Sequence, residues 1–119
     1  MNLNHLHLHV ADADRAEAFY GRWFGLRRSA QHGEILFMRD GAGLDLALAA
    51  GEPDRMPAWF HFGFRLESKE EVAELHSAMV EAEVPILADL IREDDMWAFR
   101  CADPDGHPIE IYWEDESAL

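Results

Sequence analysis

Histidines and carboxylates recur in this 119-residue sequence at spacings that suit metal chemistry. Residues 3–10 (LNHLHLHV) alternate strictly, with Leu6, Leu8 and Val10 on one face and His5, His7 and His9 on the other. That is the pattern of a strand buried on one side. Residues 59–66 (WFHFGFRL) repeat it, with Phe60, Phe62, Phe64 and Leu66 sharing one face and Trp59, His61, Gly63 and Arg65 the other. Two carboxylates follow the same parity. In 44–49, Leu44, Leu46 and Leu48 pack while Asp45, Ala47 and Ala49 face away; in 107–113, Ile109, Ile111 and Trp113 pack while Glu110 and Tyr112 face away. Imidazole nitrogen with carboxylate oxygen suits zinc, manganese, nickel or ferrous iron and leaves positions for water or substrate. An inward carboxylate without a cation, a basic partner or a proton is costly. Two histidines and two acids on inward faces therefore point to a divalent metal ion.

The elements that must position these groups form two copies of one unit. Asp12 or Asp14 caps a helix running to about Phe24, in which Ala16, Phe19, Tyr20 and Trp23 recur at helical spacing, and Gly25 ends it. Strands are expected near 34–39 and 43–49, joined at the hairpin signal Asp40-Gly41. Residues 51–58 (GEPDRMPA) read as a linker, so that module one covers about 1–50 and module two about 59–119 of a single domain. In the second module, Ser68 and Glu71 form a capping-box pattern before a helix to about Ala82 with Val72, Leu75 and Met79 on its apolar stripe. Strands are expected at 85–92, 96–102 and 107–113, the last two joined through Asp103-Pro104-Asp105-Gly106. A shift of 56 residues places His5 on His61 and Asp12 on Ser68; a shift of 65 places Asp45 on Glu110. Such self-similarity is a fold-level signal. It predicts an α+β fold of two βαβββ modules, each too small to bury its own sheet face, joined as an open β-cup with the histidine faces turned inward.

Composition narrows the function classes. Ten basic against twenty-four acidic residues give a net charge of −14, a field that repels phosphate backbones and anionic lipid, so nucleic-acid and membrane-surface roles are not expected. No apolar run approaches the roughly 20 residues needed to span a bilayer. The first ten residues lack the basic start and apolar middle of a secretory signal. The one cysteine, Cys101, excludes an internal disulfide and a Cys-rich zinc site and reads as a small buried hydrophobe. A reducing, cytoplasmic location is expected.

The segments His5-Leu-His-Leu-His-Val-Ala-Asp, Ala18-Phe19-Tyr20, Gly25-Leu26, Phe60-His61-Phe62 and Asp103-Pro-Asp-Gly-His-Pro-Ile-Glu110 together resemble the vicinal oxygen chelate superfamily over essentially the whole chain. That group includes glyoxalase I, bleomycin-resistance proteins, fosfomycin-resistance enzymes and extradiol dioxygenases. The resemblance implies metal ligands at His5, His61 and Glu110. The glyoxalase I branch adds a fourth carboxylate at the position of Asp45, where this chain has the shorter Asp, suited to act as a base or through water. Extradiol dioxygenases carry a His and a Tyr shortly before the last motif, and Asp94–Arg100 has neither. Fosfomycin enzymes carry basic anion-binding residues after the Glu, whereas this chain continues Tyr112-Trp113-Glu114-Asp115-Glu116. Bleomycin-sequestering relatives usually lack the metal triad.

The function so implied is a metal-dependent lyase or isomerase of glyoxalase type. Its metal would bind two oxygens of a small substrate and stabilise an oxyanion or enediolate, with Glu110 or Asp45 as base. His7 reads as an acid–base or substrate contact, Arg100 as the holder of an anionic group or a salt-bridge partner, and Tyr112 as a wall of the substrate site. His32, His76 and His107 fall in turns or on a helix face and are left outside the site. Two alternatives stand beside this reading: a protein that sequesters a drug or metabolite without turnover, and a fosfomycin-type thiol transferase. The resemblance also suggests a homodimer, with the cup formed within one chain or between two.

Overall fold

In the computed structural model, which describes residues 1–118, the alternating N-terminal stretch forms strand β1 (His5–Val10) with Leu8 and Val10 fully buried. The Asp12 side chain accepts hydrogen bonds from the backbone of Asp14 and Arg15 and starts helix α1 (Ala13–Phe24). This satisfies two of the helix's orphan donors. Gly25, at φ 68°, ends the helix in the left-handed conformation that glycine adopts without steric cost. Strands β2 (Arg27–His32), β3 (Ile35–Arg39) and β4 (Asp45–Ala50) complete a sheet of order β1-β4-β3-β2, with β1 parallel to β4 and the other pairs antiparallel. The sequence pattern does not announce β2, whose residues RRSAQH are nearly all exposed and carry no apolar alternation.

The second unit repeats this plan. Strand β5 (Phe62–Arg65) leads to α2 (Lys69–Glu81), whose start carries the full capping box between Ser68 and Glu71. Strands β6 (Ile86–Arg92), β7 (Met96–Ala102) and β8 (Pro108–Glu114) then form a sheet of order β5-β8-β7-β6, followed by a 3-10 turn at Glu116–Ala118. Both units are thus βαβββ modules with one strand order, and the chain divides into two compact units between Arg55 and Met56. The cores are Leu8, Val10, Tyr20, Leu36, Met38, Leu46 and Leu48 in the first unit and Val72, Met79, Phe99, Cys101, Ile109 and Ile111 in the second. Burial pushes the Cys101 thiol up to about 12, so at neutral pH it is an inert core side chain.

The two β-hairpins fix the repeat more closely than the sequence does. Between β3 and β4, Asp40 Oδ1 accepts from the backbone of Ala42 and Leu44, and Gly43 sits at φ 101°. Between β7 and β8, Asp103 Oδ1 accepts from the backbone of Asp105 and His107, and Gly106 sits at φ 87°. The loops superpose with an offset of 63 residues, Asp40 onto Asp103 and Gly43 onto Gly106, rather than the 65 that aligning the two Asp-Gly pairs suggests. Strand register agrees, since His7 lies beside Ala47 and Gly63 beside Glu110. The counterpart of Glu110 is therefore Ala47, and Asp45 stands two residues earlier on the same face.

His107, left outside the site on sequence grounds, is 4% exposed, and its Nδ1 lies 2.7 Å from Asp103 Oδ2. That hydrogen bond, chiefly, raises the imidazole pKa above its ordinary value. A raised folded-state pKa means that the pair stabilises fully below about pH 6.5 and that this contribution is lost as pH rises through the raised value. The stability gap between wild type and His107→Gln is accordingly expected to narrow as urea denaturation is repeated from mildly acidic to alkaline pH. Asp103→Ala, which orphans two backbone donors and the buried ring, is expected to cost about 2–4 kcal/mol, and Asp40→Ala less.

Candidate functional site

Three of the side chains with metal or substrate chemistry converge within the second unit. His61 lies just before β5, where a turn closed by Phe60 N donating to Pro57 O brings the chain around. Its Nδ1 is 3.2 Å from the Trp59 carbonyl oxygen. A carbonyl only accepts, so Nδ1 carries a proton, and Nε2 is the nitrogen left to face a partner. That nitrogen lies 3.5 Å from Glu110 Oε2. Two ligands bound at about 2.1 Å to one tetrahedral ion stand about 3.4 Å apart. The pair therefore has the separation of neighbouring ligands, and the backbone carbonyl gives His61 the tautomer a ligand needs. Without a cation between them, a lone pair faces a carboxylate; a proton on Nε2 or a metal ion relieves the conflict. The donor set fits a divalent metal.

Glu110 pairs in register with Arg100 across β7 and β8, and Arg100 Nε is 3.8 Å from Glu110 Oε1. At that length and with both side chains about a third exposed, the ion pair orients more than it stabilises. Arg100 thus has the carboxylate partner that was the alternative to holding a substrate anion. On the other side of Glu110 lies Gly63. A Cβ there would sit 3.0 Å from the Glu110 carbonyl oxygen, 3.5 Å from Glu110 Cβ and 3.7 Å from Tyr112 Cε1. The missing side chain leaves room for both Glu110 and the half-buried Tyr112. The alternating pattern places Gly63 on this face, but nothing in it marks the contact.

In the first unit, His5 opens β1 and pairs in register with Asp45. Asp45 Oδ1 and Oδ2 accept from Arg39 Nε at 3.0 Å and Nη2 at 3.3 Å. This carboxylate already has a cationic partner, and it is not the repeat's equivalent of Glu110. His7 and His9 follow on the same exposed face as His5.

Distance alone nominates another set among the described residues: the ligand atoms of Asp103, Asp105 and His107 lie within 4.8 Å of one another. Here Asp103 Oδ1 accepts two backbone N–H groups and Oδ2 meets the His107 ring. The Asp40 loop makes the same two backbone bonds with Ala42 and Leu44 in place of Asp105 and His107. The Asp103 oxygens are thus already engaged by the turn itself, and the Asp103–His107 clasp places β8 and, three residues on, Glu110.

The family model described as Glyoxalase/Bleomycin resistance protein/Dioxygenase superfamily matches residues 2–111. The chain belongs to this superfamily. Its members typically use a divalent metal. Over 116 residues it is 28% identical to the metallothiol transferase FosB of Lysinibacillus sphaericus, covering 93% of this chain and 81% of that protein. A possible glyoxalase from Bacillus cereus superposes with a TM-score of 0.80 at 33% identity, covering 93% of this chain and 97% of that one. The fosfomycin resistance protein FosX from Listeria monocytogenes gives a TM-score of 0.84 at 21% identity over 98% and 96% of the two chains, a likeness of fold. No helix among the described residues is long and apolar enough to cross a membrane.

Gly63→Ala tests the geometry of this cluster. Its methyl group presses on the Glu110 carbonyl oxygen, 3.0 Å away; with Glu110 as a metal ligand, the variant is expected to bind zinc more weakly than wild type in a calorimetric titration, while its circular dichroism stays unchanged.

Proposed function

We propose that the chain is a metal-dependent enzyme of glyoxalase-like type, acting on a small substrate with two oxygens, with His5, His61 and Glu110 as metal ligands. The observation that carries this reading is the 3.5 Å approach of His61 Nε2 to Glu110 Oε2, with His61 Nδ1 fixed by the Trp59 carbonyl. His5 joins the set as the internal counterpart of His61, supplied by the same chain or by a second copy in a homodimer. A divalent ion held there supplies Lewis-acid polarisation of substrate oxygen. The chain's own side chains do the rest. Arg100 orients the Glu110 carboxylate and is the candidate holder of an anionic substrate group. Tyr112 and His7 flank the ligand positions as substrate contacts. Asp45, held by Arg39, is the candidate base outside the ligand set. The counterpart of Glu110 in the first unit is the methyl group of Ala47, which favours three protein ligands and open positions for substrate over four.

A second reading, thiol transfer to an epoxide as in fosfomycin resistance, draws on the 28% identity to FosB and on the three-ligand set. The acidic residues after Glu110 stand against it. Parallel assays separate the two: isomerisation of the glutathione–methylglyoxal hemithioacetal, and thiol addition to fosfomycin, each with zinc, nickel and manganese.

Elemental analysis of purified protein is expected to find a divalent metal, and His61→Ala to lose it, along with activity, while remaining folded. A protein that carries no metal, and that none of these ions binds or stabilises, would sink the catalytic reading and leave sequestration of a small molecule.

A further inference from the structure

His9 has no part in the ligand set described above, yet it stands beside His7 on the exposed face of β1, with ring centroids 5.3 Å apart and planes at 72°. Two imidazoles bound to one tetrahedral ion at about 2.0–2.1 Å place their ring centres about 5 Å apart, close to the separation these rings have. Strand geometry dictates this: residues two apart point the same way and rise together along one edge. β1 is the outer strand of its sheet, bordered only by β4, and the β4 residues in register with His7 and His9 are Ala47 and Ala49. Those methyl groups crowd neither ring. Among the described residues no hydrogen bond engages either imidazole.

We infer that His7 and His9 form a second transition-metal seat, weaker than the three-ligand site and next to His5 on β1, with water completing the coordination. Two neutral imidazoles without a carboxylate select copper(II), nickel(II) or zinc(II) and discriminate against magnesium, calcium and manganese, which prefer oxygen. The net charge of −14 enriches such cations near the surface.

Zinc chloride titrated into the chelator-treated full chain, followed by calorimetry and by the ¹⁵N signals of the imidazoles, tests this. Wild type is expected to show a stronger and a weaker binding event, with the His7 and His9 signals shifting together in the weaker one. His61→Ala should lose the stronger event and keep the weaker; His9→Ala and His9→Gln, both at an exposed position, should do the reverse. Manganese should leave the His9 signals unmoved. The proposal is overturned if both His9 variants titrate like wild type, or if the His7 and His9 signals stay still through zinc saturation. A His9-dependent event without a His61-dependent one would sink the three-ligand reading and leave this seat standing.

Discussion

A strand covered by a helix on one face buries every second side chain, and the candidate site residues of this protein lie on the alternate set. β1 packs Leu8 and Val10 and thereby commits His5, His7 and His9 to the other face. β8 packs Ile109 and Ile111 and so turns Glu110 and Tyr112 the same way relative to its own helix. A slip of one residue in any register would exchange core for site completely. What holds the registers therefore holds the candidate site residues, and in each unit an aspartate at the β-hairpin takes part.

Asp40 and Asp103 each gather two backbone donors two and four residues on, mimicking a backbone turn. A glycine beyond the left-handed boundary lets the chain return. The second unit adds the buried His107 ring against Asp103, so the hairpin that carries the proposed ligand Glu110 is the more firmly clasped. Its equivalent leads to Ala47, where rigidity matters less. The exchange of side chains across paired strands follows the same logic: His7 beside Ala47, Gly63 beside Glu110. Each unit places one long polar group where its neighbour is small, on opposite strands of the pair.

Much of this was legible in the sequence because it rests on local physics. Strict alternation in 5–10, the Asp12 and Ser68 caps and the Gly25 stop each leave a residue-level mark, and all appear where expected. Strand β2 left no mark because an exposed strand needs no apolar alternation; its pairing with β3 makes it. The two-residue error in aligning the hairpins arose because Asp40-Gly41 and Asp105-Gly106 look alike, whereas the working aspartates are Asp40 and Asp103. Side-chain bonding, not dipeptide identity, sets the equivalence. His107 was missed for a related reason: a histidine in a turn is usually solvated, and only the Asp103 carboxylate makes its burial tolerable.

The repeat correction alters the chemistry as well as the alignment. With Asp45 opposite Glu110, the site would have near two-fold symmetry and four protein ligands, leaving little room for substrate oxygens. With Ala47 there, the histidines stay paired by the repeat while the carboxylate stands alone. Asp45 meanwhile is tied to Arg39 by two hydrogen bonds. If both histidines and the one acid are ligands, as proposed, the duplicated module supplies three donors. Under the proposed three-ligand set, that difference between a methyl group and a carboxylate at one repeat position would leave coordination positions for substrate.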